Sequence, residues 1–264
     1  MTITEPAPLP ALEFTPAEPI GQDVLIEGVG WSRVVHWYDP TRLGTAAFWT
    51  EQTRLRPRPC SYQAGTTLGE EVALCILGGH GITEQMAYAS FERLRDERLL
   101  TGETVSVEVL HEALSRPFEL PGRERPVRYR FPLMKAERLA GALQLLQFET
   151  APPATRPREL RDWLTRLPGV GLKTASWAVR NLTRSDDIAI IDIHVRRAGI
   201  AAGVFDPAWK LPRDYLRFEE AFVCWARVGG VPTADLDSCI WSWLADLGRG
   251  ARVIFGVETL GALD

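Results

Sequence analysis

The stretch RELRDWLTRLPGVGLKTASWAVRNL, residues 158–182, constrains this chain more than any other. Apolar residues at helical spacing run up to Leu167, Pro168 forbids the helix from continuing, and Gly169 and Gly171 bracket Val170 before a second helix begins at Leu172. The two glycines let the backbone turn tightly and present N–H groups at a helix N-terminus, which is an anion site of the kind that grips a phosphate without reading a base. Taken by itself the turn is equally an ordinary αα-hairpin, so the residues around it must decide.

Lys173 stands two residues after Gly171, in the first turn of the second helix, where the dipole works against a charged amine. A neutral lysine is a nucleophile, whereas an ordinary surface lysine is not. Of the 30 basic residues only three are lysine (Lys135, Lys173 and Lys210), so each needs its own explanation. Nineteen positions on, Asp192 interrupts the apolar run IAIIDIHV, where an acid is a helix N-cap, a catalytic carboxylate or both.

These residues carry a resemblance. LPGVGLKTA followed by IDIHVRRAG resembles the helix-hairpin-helix (HhH-GPD) base-excision DNA glycosylases, and among them most the 8-oxoguanine DNA glycosylase/AP lyases. The likeness is strong over 157–199, looser over 68–95 and 236–249, and little before residue 60 shares in it. It implies Lys173 as nucleophile, Asp192 as catalytic acid, the turn Gly169, Val170 and Gly171 as the phosphate-binding hairpin, and His194 as a phosphate contact beside Arg196 and Arg197. LGGHGI resembles the turn that enters the space left by a flipped base, which puts His80 in the wedge. The alternative for His80 is a turn histidine bonded to its own backbone, and for His194 a helix-surface imidazole. WSWLADLGR resembles the helix whose aromatic stacks on the extruded base, which implies Trp243 as stacking residue with Cys239 beside it, while Trp241 reads as core. Trp177 lies four residues after Lys173, on the same helical face. The family commonly carries a smaller residue at that position and an amide where Cys239 stands.

The implied function is a bifunctional DNA glycosylase/AP lyase that excises an oxidised purine, 8-oxoguanine first, from duplex DNA by base flipping and Schiff-base chemistry. The same fold acting on an oxidised pyrimidine or another modified base is the alternative; a passive DNA-binding module or a protein-interaction scaffold would leave Lys173 and Asp192 incidental. No cofactor is required, a monovalent cation at the hairpin is allowed, and the four-cysteine iron–sulfur loop of endonuclease III relatives is not expected, because only Cys224 and Cys239 follow Asp192. The expected partner is double-stranded DNA containing a damaged base, bound by a monomer without a membrane.

Charge distribution agrees with a polyanionic partner. The net charge is −4, yet residues 123–197 hold 15 basic against 8 acidic residues. The first twenty residues contain five prolines and little to bury, which reads as a flexible tail. With no basic start and no continuous apolar stretch, that segment does not read as a secretory signal, and a cytoplasmic protein used at the nucleoid is expected. Four cysteines spaced outside any CxxC pattern read as reduced thiols in packed surroundings.

The expected fold is mainly α, with one or two small strands from GQDVLIEGVGWSRVVHWY. Helices are predicted on both sides of the glycine turn within 68–100, then near 102–115, 133–147, 157–167, 171–183, just after Asp192, and over 233–248. Two subdomains with a cleft between them are expected: a helical barrel of 68–182 containing the helix-hairpin-helix, and a second part of 21–67 plus 183–264 carrying Asp192.

Overall fold

The computed structural model describes residues 21–57, 59–79, 81–101, 105–248 and 250. The expected tail of 1–20 and the wedge residue His80 lie outside them.

Among the described residues, ten helices and one two-stranded antiparallel sheet make up the fold. The strands are β1 (Gln22–Gly28) and β2 (Trp31–Trp37), paired in a register that sets Gly28 opposite Trp31 and leaves Val29 and Gly30 as a two-residue turn. The helices are α1 (Ala46–Leu55), α2 (Leu68–Leu77), α3 (Glu84–Asp96), α4 (Val107–Ser115), α5 (Pro132–Phe148), α6 (Pro157–Leu164), α7 (Leu172–Thr183), α8 (Ile193–Ala201), α9 (Tyr215–Val228) and α10 (Thr233–Leu247). Their starts are local chemistry. Thr45, Thr67, Thr83, Ser106 and Asp192 each accept an amide of the following first turn, and α5 and α6 open on proline, whose missing N–H costs nothing there.

The buried side chains form two clusters. One takes its members from Val72 through Ile188; the other joins Ile26–Trp49 to Ala189–Leu244. The backbone passes from the first to the second between Ile188 and Ala189, four residues before Asp192. Two buried ion pairs tie elements of the clusters together: Arg161 on α6 meets Glu219 on α9 at 2.6 Å, and Arg180 on α7 faces Asp237 on α10 at 3.7 Å.

Three readings need correction. The helix expected to reach Leu167 ends at Leu164, and residues 165–167 close with three i→i−3 bonds, which tighten the entry to the hairpin. Arg161 and Arg180, counted in the basic segment, are buried in ion pairs and contribute little to a surface field. Cys75 and Cys239 are packed, but Cys60 is exposed; all four thiols are free.

Candidate active site

The hairpin turn has one conformation that only glycine accepts without strain. Gly169 has φ +77°, and a Cβ there would stand 2.3 Å from Cδ of Arg138. Gly169 and Gly171 are exposed, with Gly171 capping α7. Val170 behaves differently from the expected phosphate contact. Its side chain is buried in the first cluster and its amide donates to the Leu167 carbonyl at 3.1 Å, so it anchors the turn from inside and leaves the two glycines and the start of α7 as the outward face of the turn.

Lys173, one residue into α7, is partly buried, and its Nζ lies 5.7 Å from the ring centre of Trp177. That ring in turn covers Gly78, where a Cβ would come within 3.0 Å of it. The face shared by Lys173 and Trp177 therefore looks toward the glycine turn after α2. Lys135, the second lysine, is buried and donates to the carbonyls of Ile76 and Gly78 at the end of α2. Burial, with Arg138 and Lys173 nearby, lowers its amine to about 8.

Asp192 arrives from the other cluster. Its carboxylate caps α8 by accepting the Val195 amide at 2.8 Å, which satisfies the capping alternative and fixes the carboxylate's direction. Lys173 and Asp192 line one cavity of about 810 Å³, together with Trp177, His194, Asp237 and Trp241. A space of that size between two clusters, apolar on several sides and charged at a few points, is what a small organic group buried away from water requires.

The sequence misassigned the wall contributed by α10. Trp243 does not face the cavity: its ring lies 5.7 Å from that of Phe48 and 6.3 Å from that of Trp49, edge-on to both. Cys239, one turn earlier, is buried, and burial raises its thiol. Asp237 and Trp241 line the cavity in their place. The helical wheel explains the exchange. Leu236, Ile240 and Leu244 form the buried stripe; Cys239 and Trp243 fall on one side of it, and Asp237 and Trp241 on the other. Trp241 is 39% exposed where Trp243 is packed, so the residue read as core is the accessible one.

Asp237 is the strongest electrostatic feature of the site and had no motif to announce it. It is buried, its Oδ2 has no hydrogen-bond partner, and burial, opposed by Arg180 and reinforced by Asp192, pushes its carboxyl up to about 7. Arg180, its partner, lies over the ring of Tyr62 at 4.3 Å, and Tyr62 donates to Asp235 at 2.8 Å. His194 sits beside Asp192 in the cavity, half-buried, with Nδ1 unpartnered. Burial lowers its imidazole, with Arg197 and Lys173 acting in the same direction and Asp192 against them. Its placement is thus inside the site, while Arg196 and Arg197 lie partly buried further along α8. Among the described residues no three His, Cys, Asp or Glu side chains converge as a metal site, and no helix is long and apolar enough to cross a membrane.

Comparison with known proteins places this geometry. A curated Fusobacterium nucleatum subsp. nucleatum protein named 8-oxoguanine DNA glycosylase/AP lyase is 30% identical over 97 residues, which is 36% of this chain and 43% of that protein, so the match spans less than half of the relative's length. The Methanocaldococcus jannaschii 8-oxoguanine glycosylase/lyase, solved in complex with a 15mer DNA containing 8-oxoguanine, shares the fold with a TM-score of 0.50 at 22% identity, over 76% of this chain and 89% of that one. A trapped endonuclease III–DNA covalent intermediate shares it with a TM-score of 0.54 at 17% identity, over 76% of this chain and 83% of the other. The family model for helix-hairpin-helix 8-oxoguanine DNA glycosylases matches residues 60–229, from the loop before α2 to the end of α9, and the chain belongs to that family.

Proposed function

We propose that this protein is a DNA glycosylase and AP lyase that removes 8-oxoguanine from duplex DNA. One observation carries the reading: an amine from the start of α7 and a carboxylate from the start of α8 line the same cavity, with indoles on two of its walls. A base stacked in a duplex is out of reach, so the nucleotide must be extruded into such a cavity. Trp177 and Trp241 offer aromatic faces for the extruded base. Asp237, protonated below about pH 7, offers its unpartnered oxygen to a polar edge of that base.

In the reaction the lone pair of Lys173 Nζ forms a bond to the sugar C1′ as the glycosidic bond breaks, and the base leaves with the electron pair of the broken bond. The Asp192 carboxylate faces the positive charge that develops on the sugar. One proton of the bound amine passes to the departed base anion, and the nitrogen lone pair then breaks the bond from C1′ to the ring oxygen, which takes up a proton from solvent; the protonated Schiff base so formed makes a C2′ proton acidic, and its loss to a base expels the 3′ phosphate oxygen and nicks the strand. A phosphate neighbouring the lesion lies against Gly169, Gly171 and the first turn of α7. A monovalent cation there would neutralise phosphate charge, held by carbonyls such as that of Leu167, which keeps one lone pair beyond its bond to Val170.

Borohydride trapping on duplexes bearing 8-oxoguanine, an oxidised pyrimidine, an abasic site or no lesion tests covalent chemistry and substrate together. A trapped adduct with the 8-oxoguanine duplex that is missing in Lys173→Gln is expected. Trapping confined to the oxidised pyrimidine would favour the second reading, which the bulk of Trp177 beside Lys173 supports; no trapping on any duplex would end both.

A further inference from the structure

The segment Ile188–Asp192 poses a problem of its own. Ile188–Ile191 are buried and the whole segment lies outside every helix and strand, so no ladder satisfies its backbone groups. Side chains do so instead. The Ala189 amide donates to Glu219 at 3.2 Å, the Ile190 amide faces Asp237, and the Ile191 amide donates to the hydroxyl of Tyr215 at 3.2 Å. The same hydroxyl donates to the Ala189 carbonyl at 2.9 Å, so Tyr215 spans two residues of the segment and stops one short of Asp192. Tyr215 and Glu219 stand four apart on α9 and present one face to it.

The network continues to the nucleophile. Ser176, on α7 three residues after Lys173, donates to Glu219 at 3.4 Å, and its hydroxyl lies beside that of Tyr215. Arg161 holds the other oxygen of Glu219 at 2.6 Å. The cap from Asp192 to Val195 fixes the carboxylate relative to α8 alone, and says nothing about where α8 sits relative to Lys173. The bonds from Ser176 through Glu219 to Ala189, joined there by those of Tyr215 to Ala189 and Ile191, supply that relation.

We propose that Tyr215 is a positioning residue whose hydroxyl sets the aim of Asp192 across the cavity toward the sugar attacked by Lys173. The inference rests on the reaction proposed above, and a shift of about 1 Å in such a group can cost up to about a hundredfold in rate. Tyr215→Phe deletes only the hydroxyl. Single-turnover excision from an 8-oxoguanine duplex is expected to slow about tenfold, with affinity for that duplex within about twofold of wild type. In an Asp192→Asn background the residual rate should not change when Tyr215→Phe is added, because there is no carboxylate left to aim. A loss of packing would slow both backgrounds alike, and that result would overturn the proposal, as would a wild-type rate for Tyr215→Phe. Should Tyr215→Phe fail to fold, Ser176→Ala keeps the helix and loosens the same hydroxyl; about a threefold loss, again absent without Asp192, is expected, and no loss overturns the proposal. Failure of the two readings is distinguishable: wild-type protein that excises no lesion removes both, whereas wild-type excision unaffected by these variants removes the role of Tyr215 alone.

Discussion

Asp237→Asn should make the protein more stable, and by an amount that depends on pH. The carboxyl of Asp237 is held at about 7 by burial, against an ordinary aspartate value of 3.8, so the folded protein binds a proton there that the unfolded chain has released. A raised native value means that this group's contribution to stability is present below pH 4 and is lost as pH rises toward 7. The gap is about three units, which at 1.36 kcal/mol each is a penalty of about 4 kcal/mol above pH 7. Asparagine has the shape of the protonated acid and keeps an acceptor for the Ile190 amide, while Arg180 keeps its contact with the Tyr62 ring. The variant therefore reproduces the charge state the wild type holds at low pH and escapes the penalty at high pH. Urea unfolding of both proteins at pH 5, 6, 7 and 8 reads this directly, and every other titrating group cancels in the difference. The advantage of the variant should grow by about 2–3 kcal/mol between pH 5 and 8 and level off above. Parallel stability curves, or a variant less stable at pH 8, would refute the reasoning and mean that Arg180 holds Asp237 ionised throughout. Excision by the same variant should lose its dependence on pH near 7, because the group that offers a proton to the base no longer titrates.

Three further outcomes follow from the site. Lys173→Gln should leave the melting temperature and the affinity for lesion duplex close to wild type while abolishing the borohydride-trapped adduct; trapping at the wild-type level would mean another amine attacks. Trp241→Ala should slow excision with little change in melting temperature, while Trp243→Ala, which strips the indole from Phe48 and Trp49, should cost about 3 kcal/mol in stability by urea titration. Gly169→Ala forces a left-handed alanine against Arg138 and should cost roughly 1–2 kcal/mol. Its affinity for damaged and undamaged duplex should fall together in fluorescence anisotropy, because a phosphate grip does not read the lesion.

What was legible in the sequence was short-range. The hairpin is written in Pro168, Gly169 and Gly171; the start of α8 is written in Asp192; the strand pair is written in β-branched runs broken at Gly28 and Gly30. Lys173 and Asp192 stood out because each violates its local setting, an amine at a helix start and an acid in an apolar run. Asp237 violates nothing locally. It lies one turn into α10 beside Leu236, and only the packing of other parts of the chain over it buries it and raises its carboxyl, with Arg180 opposing. Trp241 and Trp243 illustrate the same limit at closer range, since two tryptophans two residues apart cannot be sorted without knowing which flank of the Leu236–Ile240–Leu244 stripe faces the second cluster and which faces the gap.

The buried charges follow from where the site is built. Burying Arg161 with Glu219 gains little net stability over a packed apolar pair, because desolvation offsets much of the attraction, and Asp237 sits at a clear loss. Apolar contacts could join the two clusters more favourably, but they are non-directional and would tolerate sliding. Charge pairs and side-chain bonds to backbone have defined geometry, and those connecting the two clusters converge on Ile188–Asp192, where the chain crosses from one to the other. A reaction whose amine comes from one cluster and whose carboxylate comes from the other needs that register held more than it needs the last few kcal/mol of stability. Spending charge at the seam therefore places the weakness of the fold beside its chemistry, which is why Asp237→Asn is expected to strengthen the one while removing a titration from the other.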